Sequence, residues 1–342
     1  MLASLAKDCG ISQSLAEAIA QALRQLALPA PERIAPQSLG LSNQSFRLQF
    51  QHNALLLRLN SPVTDKICNR DNEIACWQAA QHAGLAPEIY WVDPQKRFYL
   101  SEWISESASG LGAGFLPWQQ LQMTEKCGTA SLMQLAVDTC NARALYPAQK
   151  LLQLLQGLQQ LAPPKLDISL QKQWRIYLTR LQKMADAAQY AGAGSPAASA
   201  WLTRLQWLEQ VALDGRFNRL DDCLLAHQYC HRDLSAHNLL LHNDQLYCID
   251  FEYCCSSHPL FELAGVIACH QLQPAARQWL VDEYLTHHPH LRADAKSALP
   301  AALDIFWLYS CAWALQMADS PSTDGQVFFS WFDNYRQLLG KG

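Results

Sequence analysis

The stretch that decides the fold is AHQYCHRDLSAHNLLLHNDQLYCIDFEY, residues 226–253. Within it, two short apolar runs flank Asn243 and Asp244, a pair that tolerates the backbone of a tight turn. The pattern predicts a β-hairpin with Asn238 and Asp250 across from each other at its open end, roughly 5 Å apart. Amide and carboxylate oxygens are hard ligands, so these two side chains predict part of a divalent-cation site that other oxygens complete.

The spacing of the polar residues resembles the catalytic and metal-binding segments of the protein-kinase-like superfamily. His231-Arg232-Asp233 is followed by Asn238, and Ile249-Asp250-Phe251-Glu252-Tyr253 is similar to the choline/ethanolamine kinase branch of the aminoglycoside phosphotransferase family. This resemblance implies ATP and Mg²⁺ as cofactors. It makes Asp233 the group that accepts the proton of a substrate hydroxyl and Asn238 and Asp250 the magnesium ligands.

The composition argues against two classes of binding partner, nucleic acid and anionic membranes. The 342 residues carry a formal net charge of -4, which provides no basic surface for nucleic acid or an anionic membrane. No apolar run reaches the roughly 18 residues of a spanning helix, and charges within residues 1–28 interrupt any signal-peptide core. The twelve cysteines form no Cys-x-x-Cys pair and are expected to be reduced. We therefore expect a cytoplasmic protein whose partner is a small molecule or a protein, and the resemblance implies a small-molecule substrate with a primary hydroxyl.

The first hundred residues predict a helix followed by a small antiparallel sheet. Apolar residues recur at helical spacing over 11–28, before two prolines end the pattern. We expect this helix to dock on its own domain. Alternating residues at 46–50 and an apolar run at 54–59 predict one hairpin, and 89–92 with 98–100 predicts a second.

One cation and one acid of this region are expected to pair. Arg58 is the lone charge in an apolar strand, and a buried cation needs a partner. Glu73, in the first turn of the next predicted helix, is the candidate, an arrangement that resembles the lysine–glutamate pair positioning ATP phosphates in kinases. By the same resemblance, the other nucleotide contacts are Asn43 at the end of a polar loop and the hinge positions Glu102 and Ile104.

From residue 105 the chain is predicted to be mostly helical. The resemblance therefore implies an α+β protein with a bilobal protein-kinase-like fold. Residues 1–104 are the expected N-lobe, with the leading helix and the small antiparallel sheet, and residues 105–342 the larger, mainly helical C-lobe. Residues 117–147 match no segment of the family and are interpreted as a lid or an insertion, and the sequence assigns no role to residues 106–148.

The acceptor is expected to be a cationic amino alcohol, with choline or ethanolamine favoured. The candidate substrate contacts are Glu252, Tyr253, Trp307 and Trp313. Aromatic faces attract a quaternary ammonium by roughly 0.5–2 kcal/mol per contact, although core packing is the alternative role for the two tryptophans.

Three other readings stay open. Thiamine kinases share the same segments, and an aminoglycoside or sugar acceptor is the next alternative. A nucleotide-binding pseudokinase is the non-enzymatic one. It rests on Glu262, which stands where the family usually has the aspartate that steadies the catalytic loop, so the longer side chain either reaches the same partners or leaves the loop looser.

Overall fold

The structure is a computed structural model that describes residues 2–37, 43–61, 68–106, 118, 137–190, 196–318 and 325–341. The chain forms two compact units, each built from two stretches. Unit 1 comprises Met1–Met133 and Asp233–Cys254, and unit 2 comprises Gln134–Arg232 and Cys255–Gly342. The predicted lobes follow the order of the chain, whereas these units are discontinuous. The predicted polar loop at 40–42 and most of 106–148 lie outside the described residues.

Unit 1 contains a five-stranded antiparallel sheet in the order β1-β2-β3-β5-β4. Its helices are α1 (Leu2–Asp8), α2 (Gln13–Gln25) and α3 (Arg70–His82), and its sheet strands are β1 (Arg33–Gln37), β2 (Gln44–Gln49), β3 (Ala54–Leu59), β4 (Ile89–Val92) and β5 (Phe98–Glu102). The helix expected at 11–28 and the two hairpins are confirmed. Strand β1 and helix α1 were not predicted.

Alternation along β3 gives the sheet two different faces. Leu55, Leu57 and Leu59 point to one face, where they join a buried apolar cluster with Ile19 and Leu23 of α2. The leading helix therefore docks on its own unit, as expected. Arg58, between two of these leucines, points to the opposite face.

A second hairpin of unit 1 consists of β7 (Leu239–His242) and β8 (Gln245–Cys248). It is tied to α3 and the residues that follow. The backbone N–H of Cys248 donates to the carbonyl of Leu85 (2.8 Å), and the Trp77 ring of α3 stacks on Phe251 with centroids 5.8 Å apart. Asn72 of α3 also donates to the carbonyl of Cys254 (2.7 Å). These contacts fix segment 233–254 against the sheet's own helix.

Unit 2 is mainly helical. Its elements are α4 (Val137–Gln159), α5 (Leu170–Tyr190), α6 (Pro196–Gln210), α7 (Asp214–Cys223), β6 (Gln228–Cys230), β9 (Cys255–Ser257), α8 (Pro259–Cys269), α9 (Pro274–Leu285), α10 (Leu299–Met317) and α11 (Gly325–Arg336). Strands β6 and β9 pair antiparallel. This pair lies directly before Asp233 and directly after Cys254, so it marks both points where the chain passes between the units.

The central helix of unit 2 is α10. The segment Ala295–Met317 is long and apolar enough to span a bilayer, but 72% of its most apolar window is buried inside the protein. Burial of that kind is what the core helix of a globular domain shows, because such a helix is apolar on all sides.

Candidate active site

A two-residue turn sets the geometry of the β7-β8 hairpin. Asn243 and Asp244 both have positive φ, 49° and 65°, as a type I′ turn requires. The register that follows places Ile249 across from Asn238, with the Ile249 N–H donating to the Asn238 carbonyl (3.0 Å). The predicted pairing of Asn238 with Asp250 was therefore wrong by one residue. Asp250 lies one position beyond the pair, with φ of 67°.

Asp233 and Asn238 are joined directly. The Asn238 amide nitrogen donates to the Asp233 carboxylate (2.8 Å) and to the Asp233 carbonyl (3.0 Å), so the Oδ1 atom of Asn238 is left for another partner. Asp233 is half-buried. Desolvation, followed by the charge of Asp250, raises the pKa of Asp233 to about 7.

Arg58 lies among three carboxylates. Its Nη2 atom is 2.9 Å from Glu73 Oε1, 3.2 Å from Asp250 Oδ1 and 3.6 Å from Glu252 Oε2. Burial disfavours the guanidinium charge, but these acids together hold the pKa of Arg58 above its usual value. The predicted ion pair between Arg58 and Glu73 is confirmed, and the same cation also reaches the predicted metal ligand Asp250.

Glu73 is fully buried and has two further partners that the sequence analysis missed. Arg70 Nη1 lies 2.8 Å from Glu73 Oε2, and the Tyr99 hydroxyl donates to the same oxygen (3.1 Å). Arg70 precedes Glu73 by three residues, a spacing that brings side chains together on a helix. Tyr99 is offset by one residue from Leu100 of the apolar face, so alternation sends it to the face of Arg58. Both signals were present in the sequence.

Asn43 connects the region after the polar loop to Glu252. Its amide nitrogen donates to Glu252 Oε2 (3.3 Å), while its oxygen accepts from the backbone N–H of Ser61 (3.1 Å). Burial and the neighbouring Asp250 raise the pKa of Glu252. Glu252 was predicted as a substrate contact, and its observed partners are Asn43 and Arg58.

The charges of this cluster suit a divalent cation. Four carboxylates come together here, those of Asp233, Glu73, Asp250 and Glu252, and the ion pairs of the described residues bring two guanidiniums among them, Arg58 and Arg70. The Oδ1 atom of Asn238 and the carboxylate of Asp250 are hard oxygen donors. Among the described residues, no group of three or more His, Cys, Asp or Glu is arranged to hold a metal. A cation here would therefore draw further oxygens from a bound nucleotide and water.

The predicted hinge residues lie at the end of strand β5: Glu102 is its last residue, and Ile104 follows two residues later. Glu102 lies across from Leu55 in the sheet, and its carboxylate accepts from the backbone N–H of Glu88 (3.2 Å). Ile104 is buried at 8% exposure. The structure thus uses the Glu102 side chain within unit 1, and the nucleotide role of these two positions stays a prediction.

In unit 2, Glu262 holds the main chain that leads to Asp233. Its two carboxylate oxygens accept from the backbone N–H groups of His231 (2.9 Å) and Arg232 (2.8 Å). The longer side chain therefore reaches the backbone of the segment that leads to Asp233. This answers the question that the sequence left open at this position.

The predicted aromatic substrate residues contact helix α11. Trp307 stacks on Tyr335 (5.6 Å between centroids), and Trp313 stacks on Trp331 (6.0 Å). Both tryptophans are half-buried, as is Tyr253 of unit 1. The contacts of the two tryptophans follow the packing alternative, and their role toward a substrate stays a prediction.

Comparison with known proteins places this arrangement in a family. Residues 33–294 match the model of the phosphotransferase enzyme family. Protein LicA of Haemophilus influenzae is 22% identical over 245 residues, which cover 72% of this chain and 60% of LicA. The chain thus spans about three fifths of the length of that curated relative.

Solved structures share the fold. The choline/ethanolamine kinase family protein of Mesorhizobium loti superposes with a TM-score of 0.63 at 17% identity, covering 94% of this chain and 95% of its own. Choline kinase LicA of Streptococcus pneumoniae gives 0.64 at 15% identity, covering 96% and 100%. The α+β, protein-kinase-like fold and the resemblance to the choline kinase-like branch are confirmed.

Proposed function

This chain belongs to the phosphotransferase enzyme family, and from that premise we propose that it transfers the γ-phosphoryl group of ATP to the hydroxyl of a small cationic alcohol. Choline or ethanolamine is the favoured acceptor, and the relatives similar to this chain include choline and ethanolamine kinases. Thiamine is the closest alternative, followed by an aminoglycoside or a sugar. A cytoplasmic location and a small-molecule partner are part of the same proposal.

The observation that carries the proposal is the arrangement of Asp233, Asn238, Asp250 and Arg58. The amide of Asn238 holds the Asp233 carboxylate at 2.8 Å, and Arg58 lies 3.2 Å from Asp250. A carboxylate, two hard oxygen ligands and a buried cation are the groups that phosphoryl transfer from a nucleotide requires. Packing alone does not explain four polar groups gathered in one half-buried cluster.

Asp233 would act on the acceptor hydroxyl. The Asn238 amide fixes the orientation of the Asp233 carboxylate, which would orient the hydroxyl and accept its proton as the oxygen–phosphorus bond forms. The transition state of phosphoryl transfer is loose, so positioning contributes more than basicity. A pKa near 7 suits a group that must accept and then release a proton near neutral pH.

Arg58 and the magnesium ligands would offset the negative charge of the nucleotide phosphates. Arg58 is buried and held by Glu73, so it offers a preorganised cation to phosphate oxygens. Asn238 and Asp250 would hold Mg²⁺, which neutralises phosphate charge when it is bound. Asn43, Glu102 and Ile104 are the proposed remaining nucleotide contacts, and Glu252, Tyr253, Trp307 and Trp313 the proposed substrate contacts.

The pseudokinase alternative has lost its main support. That hypothesis rested on Glu262 failing to hold the segment before Asp233. Glu262 instead accepts hydrogen bonds from the backbone N–H groups of His231 and Arg232. Asp233, Asn238 and Asp250 are also the residue types that phosphoryl transfer requires at these positions. The enzymatic proposal is therefore preferred.

The test is ATP consumption by the full chain with choline, ethanolamine, thiamine and an aminoglycoside. The variant Asp233→Asn should lower kcat by at least ~100-fold, because it removes the proton acceptor, while nucleotide binding changes little. The matched control is Asp244→Asn at the exposed turn of the same hairpin, where asparagine tolerates the positive φ. Near-normal turnover in Asp233→Asn would remove Asp233 from the mechanism.

A further inference from the structure

The polar face of the sheet in unit 1 carries a cation that the candidate site does not use. Arg47 of β2 lies across from Leu56 of β3, and Arg58 follows Leu56 by two residues. Because side chains alternate along a strand, Arg47 and Arg58 point to the same face. Two residues span about 7 Å of a strand. A small molecule whose one end reaches Arg58 is therefore long enough to reach Arg47 with its other end.

The charge of Arg47 is not paired with an acid of the described residues. Other arginines of unit 1 are paired: Arg58 and Arg70 have a carboxylate oxygen at 2.9 and 2.8 Å, and Arg97 has Asp93 at 2.8 Å. Arg47 is half-buried, and its buried Nε atom has no hydrogen-bond partner in the described part of the chain. A half-buried cation in this situation gains from a partner outside the chain, because water solvates only part of it.

One flat face of the Arg47 guanidinium lies over an aromatic ring. Its Cζ atom is 4.9 Å from the centre of the Trp103 ring. Trp103 directly follows the last residue of β5, and its indole N–H donates to the Ser105 hydroxyl (3.2 Å), which fixes the ring. A guanidinium is planar and stacks on aromatic faces. Because it has two faces, a second flat ring can stack on the face opposite Trp103.

A nucleotide combines the two groups that suit this face, phosphates for Arg58 and a flat base for Arg47. Resting on the proposed function, which brings the phosphates to Arg58, we infer that Arg47 stacks on the base of the nucleotide. Trp103 is then a positioning residue, because it holds the guanidinium in place. A phosphate gains nothing from the neighbouring indole, whereas every base has a face that stacks on rings and guanidiniums. All of these residues belong to unit 1.

The two halves of the nucleotide separate the roles of the two arginines. Adenosine carries the base without phosphates, and magnesium tripolyphosphate carries phosphates without the base. In calorimetric titrations of the full chain, Arg47→Leu should weaken adenosine binding by roughly 3- to 30-fold, the range of a cation–π contact, and tripolyphosphate binding by less. Arg58→Gln should show the reverse order, because it removes the cation that faces the phosphates.

Two further variants separate stacking from charge and from folding. Arg33→Leu removes the same charge from an exposed position on the edge strand β1 and should leave both affinities nearly unchanged, since salt screens an exposed charge. Arg47→Lys keeps the charge but not the flat guanidinium, so its adenosine affinity should stay closer to that of Arg47→Leu than to that of the wild type. If Arg47→Leu does not fold, Arg47→Lys alone decides, because full adenosine affinity in this variant would overturn the inference.

The failure of this inference is distinct from that of the proposed function, because adenosine binding requires no turnover. Equal adenosine affinity in the wild type and Arg47→Leu would reduce the stack on Trp103 to packing and refute the inference, while ATP consumption would leave the kinase proposal standing. A larger loss for tripolyphosphate than for adenosine in Arg47→Leu would make Arg47 a phosphate contact and also refute it. If no acceptor supports ATP consumption, the kinase proposal fails, and the adenosine titrations still decide whether Arg47 binds a base.

Discussion

The two faces of the five-stranded sheet in unit 1 are stabilised in different ways. Leu57 and Arg58 are neighbours on β3, yet Leu57 lies in the apolar cluster beneath α2 and Arg58 lies beside Glu73 and Asp250 on the other face. One strand therefore supplies both a core residue and the central cation of the candidate site. Because Leu57 is fixed in the core, the backbone of the next residue, Arg58, is held in place at the site.

The physical difference is one of additivity. On the apolar face, stability grows with buried area, about 25 cal/mol per Å², and neighbouring side chains of similar size can substitute for one another. On the polar face, each charge is tolerated only because a specific partner lies within about 3 Å. We expect the apolar face to tolerate change in proportion to volume and the polar face to fail when any single partner is removed.

The largest effect is expected for Glu73→Gln. The amide keeps the shape of the side chain but removes the negative charge that pairs with both Arg58 and Arg70, so two buried guanidiniums each lose an ion pair. Breaking such a pair costs about 4 kcal/mol, measurable as a lower urea midpoint at unchanged slope. Glu17→Gln on the exposed side of α2 is the control and should be nearly silent. A loss under about 1 kcal/mol would show that the two faces do not differ as argued.

The next effect is expected for Leu57→Ala on the apolar face. Leu57 is fully buried, so its truncation removes apolar contacts and leaves a cavity, at a cost of about 3 kcal/mol. Leu57→Met keeps the volume and should cost less than about 1.5 kcal/mol. Equal losses for the two variants, measured by urea unfolding, would contradict the claim that this face responds to volume.

How far the sequence predicts this contrast depends on the face. Alternation along 54–59 was sufficient to assign both faces of β3, because period two sends neighbouring residues to opposite sides. The partner of Arg58 was predicted because a lone cation in an apolar strand requires an acid. The additional arginine, Arg70, was missed because a charge near a helix start is also a common surface feature.

The elements that escaped prediction have identifiable physical reasons. Strand β1 contains Pro36, which argues against a central strand but is accepted at an edge, and β1 is an edge strand. The turn at Asn243 and Asp244 was predicted correctly, and a two-residue turn fixes every later pair, so its register sets Ile249 rather than Asp250 across from Asn238. Trp307 and Trp313 were predicted as substrate contacts because the sequence of α10 does not show that helix α11 packs against them. In the structure, their stacking partners are Tyr335 and Trp331 of α11.

The smallest effect is expected for Ser12→Ala in helix α2, which covers the apolar face of the sheet. Ser12 caps α2, with its hydroxyl accepting from the backbone N–H of Leu15 (3.4 Å), and both the cap and the bond are exposed. Ser12→Ala should cost about 1 kcal/mol, as the loss of an N-cap does, because the buried side of α2 still holds the helix on the sheet. Gln21→Ala, at an exposed position inside the same helix, is the control. If Ser12→Ala destabilised unit 1 as much as Leu57→Ala, helix formation rather than apolar burial would limit that face, and the contrast between the two faces would have to be drawn from α2 instead of from β3.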